Sequence, residues 1–244
     1  MSDPSRRRFL ASLGLVAIGR ALGRAPFEPD ILLSGKPEAS PPSPAARGVR
    51  VRAITAGIAI ERLADRGVVE RALGALGRAR KAFEAEGYEV QTTRITMPPV
   101  VAALDAGARR GSIAEIAQID TMVGAASAVC SLGPVLTADR ADDELARWSA
   151  DLVQATKITS FSVVVASPAG AIHAQGAAVA AAVMRAVADA VPEGKGCFRF
   201  AAAANIPAGT PFFPVGWHEG SANLAMGLET ADLVHDVFAH ASEA

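Results

Sequence analysis

The chain has 244 residues, half of them hydrophobic, with 24 Lys and Arg against 25 Asp and Glu and a net charge of −1. Residues 1–24 hold five Arg and one Asp, a net of +4, so the remainder carries about −5. An acidic remainder without a basic patch interleaved with aromatics excludes nucleic acid as a partner, and the two cysteines follow no metal-binding spacing.

Ser5-Arg6-Arg7-Arg8-Phe9-Leu10 matches the twin-arginine export pattern. The apolar run behind it, Leu10 to Ile18, falls short of the roughly 20 residues that span a bilayer. Residues 1–24 therefore read as a signal segment, and export to the periplasm or beyond is the expectation, with no stable membrane span. The alternative is a disordered basic N-terminus on a cytoplasmic protein. Residues 25–48 form a Pro-rich linker whose composition favours extended backbone. The α/β domain then occupies 49–244, long enough for one core.

Val49 to Ile60 alternates and then turns continuously apolar, as a strand entering a core does. Val68 to Glu86 carries apolar residues at helical spacing, with Asp65 as a candidate cap and Gly87 as the stop. Tyr88 to Thr96 reads as a strand. Helices are predicted from Pro98 to about Ala108 and from Ser112, whose spacing to Glu115 forms a capping box. Val123 to Leu132 is predicted as a strand, with a helix as the open alternative. Asp139 to Gln154 has Leu145, Trp148 and Leu152 on one helical face. Ile158 to Ala166 is a strand, Ala174 to Val191 a helix of small residues, and Cys197 to Ala204 a fifth strand. A helix is predicted from about Ser221, and a final one over Thr230 to His240. Five strands alternating with helices give an α/β fold with mainly parallel pairing. Functional groups in such folds gather beyond the C-terminal ends of the strands. That rule puts 205–229, Ser167 to Gly170, Ser131 to Gly133 and Glu61 on one rim.

The stretch after the fifth strand is rich in Pro207, Gly209, Pro211 and Pro214, a fixed backbone carrying polar and aromatic side chains. It suits a small-molecule pocket. His218 is a candidate general base or ligand, because imidazole titrates near neutral pH; alternatively it caps a nearby helix. Glu229 would orient that imidazole or join a metal site, or else bond local backbone. Asn205 reads as a substrate-binding amide or a turn residue. Arg199 inside an apolar strand needs a carboxylate partner or a substrate anion. Thr210 and Trp217 complete the substrate-binding candidates, with Phe212, Phe213 and Trp217 equally readable as packing. His173 reads as a cap or a ligand. Cys130 and Cys197 read as buried hydrophobes, with a nucleophile or a disulfide as the alternatives. His235 and His240 look solvent-facing.

Phe198 to His218, F-R-F-A-A-A-A-N-I-P-A-G-T-P-F-F-P-V-G-W-H, and Ala225 to Val234, A-M-G-L-E-T-A-D-L-V, resemble the signature of the DUF711 family, also called UPF0210. Val51 to Glu61 and Ile158 to Ser167 resemble two further landmarks of that family. The resemblance implies a fold similar to the ten-stranded barrel of the pyruvate formate-lyase-like superfamily, with the five strands as its first half. Family members of this kind are longer, so it also implies a missing C-terminal half or a homodimer that closes the barrel. No R-V-x-G-Y-like glycyl-radical motif is present, and the resemblance assigns no cofactor. Two functions fit: an enzyme acting on a small polar metabolite, with the reaction unassigned, or a non-catalytic binding or assembly component.

Overall fold

The computed structural model describes residues 49–241; the expected signal segment, 1–24, and linker, 25–48, lie outside the described residues. β1 (Arg50–Gly57) forms where alternating charged and apolar residues give way to an apolar run. It leads into helix α1 (Arg66–Ala85), which stops at Gly87 with φ +82°. β2 (Val90–Thr96) and a 3₁₀ turn over Val100–Ala103 precede α2 (Ala106–Ala125). β3 (Ala128–Leu136), α3 (Leu145–Ala155), β4 (Thr159–Ala166) and α4 (Ala174–Ala190) follow. A 3₁₀ stretch over Pro192–Arg199 enters β5 (Phe200–Ala204), and β6 (Asn223–Glu229) and α5 (Ala231–Ala241) complete the described fold. Among the described residues, no helix is long and apolar enough to cross a membrane.

The sheet order is β5-β4-β3-β2-β1-β6. β1 to β5 pair in parallel with their sequence neighbours, and β6 runs antiparallel to β1. Parallel crossovers are right-handed, so a sheet wound in one direction collects its helices on one face. The packing agrees: α1 lies on α2, α2 on α3, and α3 on α4. The other face is crossed by the segment that joins β5 to β6.

The helix-covered face holds the core. Leu145, Trp148, Ser149, Leu152 and Val153 are the buried residues of α3, at the spacing that points one helical stripe inward. Trp148 meets Phe161 edge to face at 6.0 Å, and Phe161 lies 5.3 Å from Phe200. Burying each such ring contributes about 1.5–3 kcal/mol. Charged groups on this side are paired. Arg109 and Asp142 form a buried two-bond ion pair at 2.6 and 2.7 Å. The hydrogen bonds from Arg109 hold the Asp142 carboxyl below its ordinary range, against the opposing effect of burial. Asp120 accepts from the N–H groups of Lys157, Ile158 and Thr159 and from the Thr159 hydroxyl, tying α2 to the start of β4.

Five parallel strands agree with the predicted pairing; the sixth strand and several boundaries do not. Ser221 does not open a helix, because Asn223–Glu229 pairs with β1 along its whole length. The fifth strand starts at Phe200, since Pro192–Arg199 coils with Glu193 and Gly194 in left-handed backbone. One helix, α2, replaces the two predicted between Pro98 and Asp120. Asp105 caps it by accepting from the Ala108 N–H at 2.8 Å, and Ser112 lies inside it, bonded to the Arg109 carbonyl. α3 starts at Leu145 rather than Asp139, because Asp139 accepts from the Gln175 and Gly176 N–H groups at the start of α4.

Candidate functional site

The segment between β5 and β6 folds back over the C-terminal ends of the parallel strands. It begins with Asn205, whose backbone is left-handed at φ +56° and whose N–H donates to the Ala166 carbonyl at 3.0 Å. Asn tolerates that region better than most residues. Thr210 then closes a turn, its N–H and hydroxyl both donating to the Pro207 carbonyl. The Gly209 N–H donates to the Trp217 carbonyl, and the Trp217 N–H to the Thr210 carbonyl, which ties the loop to itself.

Four contacts seat this loop on the sheet. Phe213 lies against the Arg94 guanidinium, 5.2 Å from ring centre to carbon, and the Pro214 carbonyl accepts from the Ser131 hydroxyl at 3.3 Å. Trp217 packs on Gly133, and the His218 N–H donates to the Met97 carbonyl at 3.1 Å. Gly133 is required twice over: its φ is +71°, and a Cβ there would lie 2.8 Å from the Trp217 Cβ and 3.2 Å from the Met97 carbonyl. Gly57 similarly leaves room for the His218 ring and the Asn223 side chain.

Beneath the loop lies a cleft of about 130 Å³, lined by Pro134, Ser162, Val164, Ala203, Val215 and Trp217 among others. Trp217 is fixed as one wall by donating its indole N–H to the Ile206 carbonyl at 3.1 Å. None of the lining residues is ionisable. Ser162 is 1% exposed, and its hydroxyl has no hydrogen-bond partner. A buried hydroxyl left unpaired costs about 1–3 kcal/mol, so the cleft, whose other polar side chains are Thr137 and Ser167, presents one unmet polar demand in mostly apolar surroundings.

The structure gathers Asn205, Thr210, Trp217 and His218 into this loop and separates them from Glu229 and Arg199. His218 is buried, with Nε2 2.8 Å from the Ser221 carbonyl. It therefore serves the turn into β6 rather than a helix. Glu229 is not beside it. β6 sets Asn223 opposite Gly57 and Glu229 opposite Arg50, and a rise of six residue steps separates the two ends by about 20 Å. Glu229 instead accepts from Arg50 and Gln91. Arg199 precedes β5 while Asn205 follows it, so the two occupy opposite ends of that strand. Its guanidinium donates to the Val153 carbonyl and to both oxygens of Thr156, closing the C-terminus of α3. Burial lowers its pKa, with Asp120 opposing.

Other candidates resolve into structural roles. His173 occupies the N-cap position of α4 without a side-chain cap bond; Asp139 supplies that bond instead. Both cysteines are free. Cys130 is fully buried in β3, where desolvation, and secondarily the Asp120 carboxylate, push its thiol far above its ordinary pKa. Such a thiol is inert as a nucleophile. Glu61 belongs to a separate cleft, with Arg62, Val100 and Glu115. Among the described residues, no group of three or more His, Cys, Asp and Glu could hold a metal ion.

Sequence reasoning missed Ser162 and Arg94. The signal for Ser162 lies in Ser160-Phe161-Ser162, where serines alternate with a core aromatic and so share the face away from the helices. No curated protein matches the chain. The family model described as "Uncharacterised ACR (DUF711)" matches residues 45–244, and the chain belongs to the DUF711 family.

Proposed function

We propose that this DUF711 protein binds a small molecule in the cleft beneath loop 205–217. The observation that carries the reading is the Ser162 hydroxyl, buried and unpartnered in a mostly apolar lining that also includes Thr137 and Ser167. Apolar cavities of about 150 Å³ accept molecules the size of benzene, so the ligand is compact, with one group that hydrogen-bonds Ser162. A lining without ionisable side chains favours binding over acid–base catalysis, and the enzyme reading ranks second on that ground. Intrinsic fluorescence offers a direct test, because Trp217 forms one wall. A panel of short-chain alcohols, ketones and amides is titrated against the full chain. The reading expects saturable quenching that Ser162→Val, which fills the cleft and removes the hydroxyl, abolishes. Quenching unaffected by that variant would sink it.

A second reading, that the chain forms half of a ten-stranded barrel completed by another copy or by a C-terminal half, is supported by the single layer of helices. A parallel sheet wound in one direction has the helix placement of a barrel wall. The exposed apolar residues Met226 and Leu228 on the edge strand β6 add to it. Light scattering and thermal unfolding of the full chain test this: a discrete dimer supports it, and a cooperatively melting monomer counts against it. The twin-arginine pattern supports a periplasmic or secreted location. Fractionating cells that carry the chain with Arg7 and Arg8 both changed to Lys tests that part, with cytoplasmic retention as the expected result.

A further inference from the structure

We propose that Arg94 forms a docking point for an oxyanion, a carboxylate or a phosphate, on the face of the sheet away from the helices. β2 alternates, so Ile95 enters the core while Arg94 projects to the face that Phe213 crosses. The ring braces one side of the guanidinium and holds its plane in a defined orientation. Among the described residues, Arg94 makes no ion pair, and its Nε is buried without a hydrogen-bond partner.

The other charged groups nearby are engaged. Arg52 donates to the Gln91 side-chain oxygen, and Glu229 accepts from Gln91 and Arg50. Glu229 also lies 3.9 Å from Arg52. No described carboxylate is therefore left to neutralise Arg94, while Arg52 adds a second positive charge to the same region. Desolvating a guanidinium nitrogen without a partner is unfavourable. An oxyanion that presents two oxygens, as carboxylate and phosphate both do, meets that need, because it can take two parallel N–H bonds from the guanidinium fork. Arg94 and Phe213 are not among the residues that line the small-molecule cleft, so the site does not depend on that cleft being occupied.

Calorimetric titration of the full chain with sodium phosphate, and separately with sodium acetate, tests the proposal. Saturable binding of at least one anion is expected, and the tighter of the two identifies the chemistry. Arg94→Gln should weaken binding roughly tenfold or more. Arg94→Lys keeps the charge and loses the fork, so it should weaken binding by a smaller factor. The proposal is overturned if neither anion shows saturable binding at millimolar concentration, or if Arg94→Gln binds as the unaltered chain does. Should the Gln variant fail to fold by circular dichroism, the Lys variant decides: unchanged affinity there overturns the two-bond site.

Discussion

The two faces of the sheet solve opposite problems. On the helix side, buried charges are matched: Asp120 accepts four hydrogen bonds, Arg109 meets Asp142, and Arg199 satisfies the end of α3. Three buried polar atoms there still lack a hydrogen-bond partner: the Ser149 hydroxyl, His173 Nδ1 and Arg80 Nε, the last 3.4 Å from the Glu84 carboxylate. On the loop side, Ser162 and Arg94 are left with unmet polar atoms where the covering segment reaches them. Matched polar groups specify a fold; unmatched ones beside a cleft leave capacity for something from outside. The difference lies in the charged groups and in position: the helix face pairs its buried charges, while the unmatched atoms of the loop face border the cleft and the segment that covers it.

The comparison breaks most severely at Arg109. Removing one member of a buried ion pair leaves the other charge uncompensated and costs about 3–5 kcal/mol. Arg109→Ala should lose stability of that order in denaturant titration, and a loss below 1 kcal/mol would refute the pairing as a stabilising one. The pH dependence sharpens the point. Arg109 depresses the Asp142 carboxyl in the folded state, so the stabilisation is present above the ordinary carboxyl range and is lost as pH falls through the depressed value. Acid melting curves of the unaltered chain should show that loss, and those of Asp142→Asn should be flatter over the same range.

A smaller effect is expected at Gly133, where the loop rests on the sheet. Alanine there must adopt a positive φ and displace Trp217, a cost of about 1–3 kcal/mol. Trp217 should move toward solvent, which shifts fluorescence to longer wavelength, while Trp148 stays buried. An unchanged emission spectrum would mean that the loop does not depend on this contact.

The helix face was legible in the sequence because its signals are periodic. Leu145, Trp148 and Leu152 mark the stripe of α3, and the run from Ile158 to Ala166 matches β4 within one residue. The loop face was legible only in part. Its prolines and aromatics announced a shaped segment, but Leu224, Ala225, Met226 and Glu229 favour helix intrinsically, and pairing with β1 overrides them. That override separates His218 from Glu229, a distance no spacing rule supplies. Arg199 misled for a related reason: the strand begins one residue after it, so its partners are carbonyls of α3 rather than an anion in the cleft. Arg94 and Ser162 carry no motif at all, and their standing depends on what fails to reach them.

The smallest effect makes the sharpest test, because it compares two hydroxyls on one strand. Thr159 and Ser162 both belong to β4, and each is 1% exposed. The Thr159 hydroxyl faces the helices and donates to Asp120 at 2.7 Å, whereas Ser162 lines the cleft and its hydroxyl has no hydrogen-bond partner. Thr159→Val keeps the shape and removes a donor to a buried carboxylate, so it should cost about 1–3 kcal/mol. Ser162→Ala removes a group that has no bond to lose, and it should change stability by less than about 1 kcal/mol, in the stabilising direction. Equal losses from the two variants would mean that Ser162 already has a partner in solution, and the cleft would then hold no unmet demand. Opposite signs would mean that the hydroxyl is retained at a cost to the fold, which is the mark of a residue kept for a ligand.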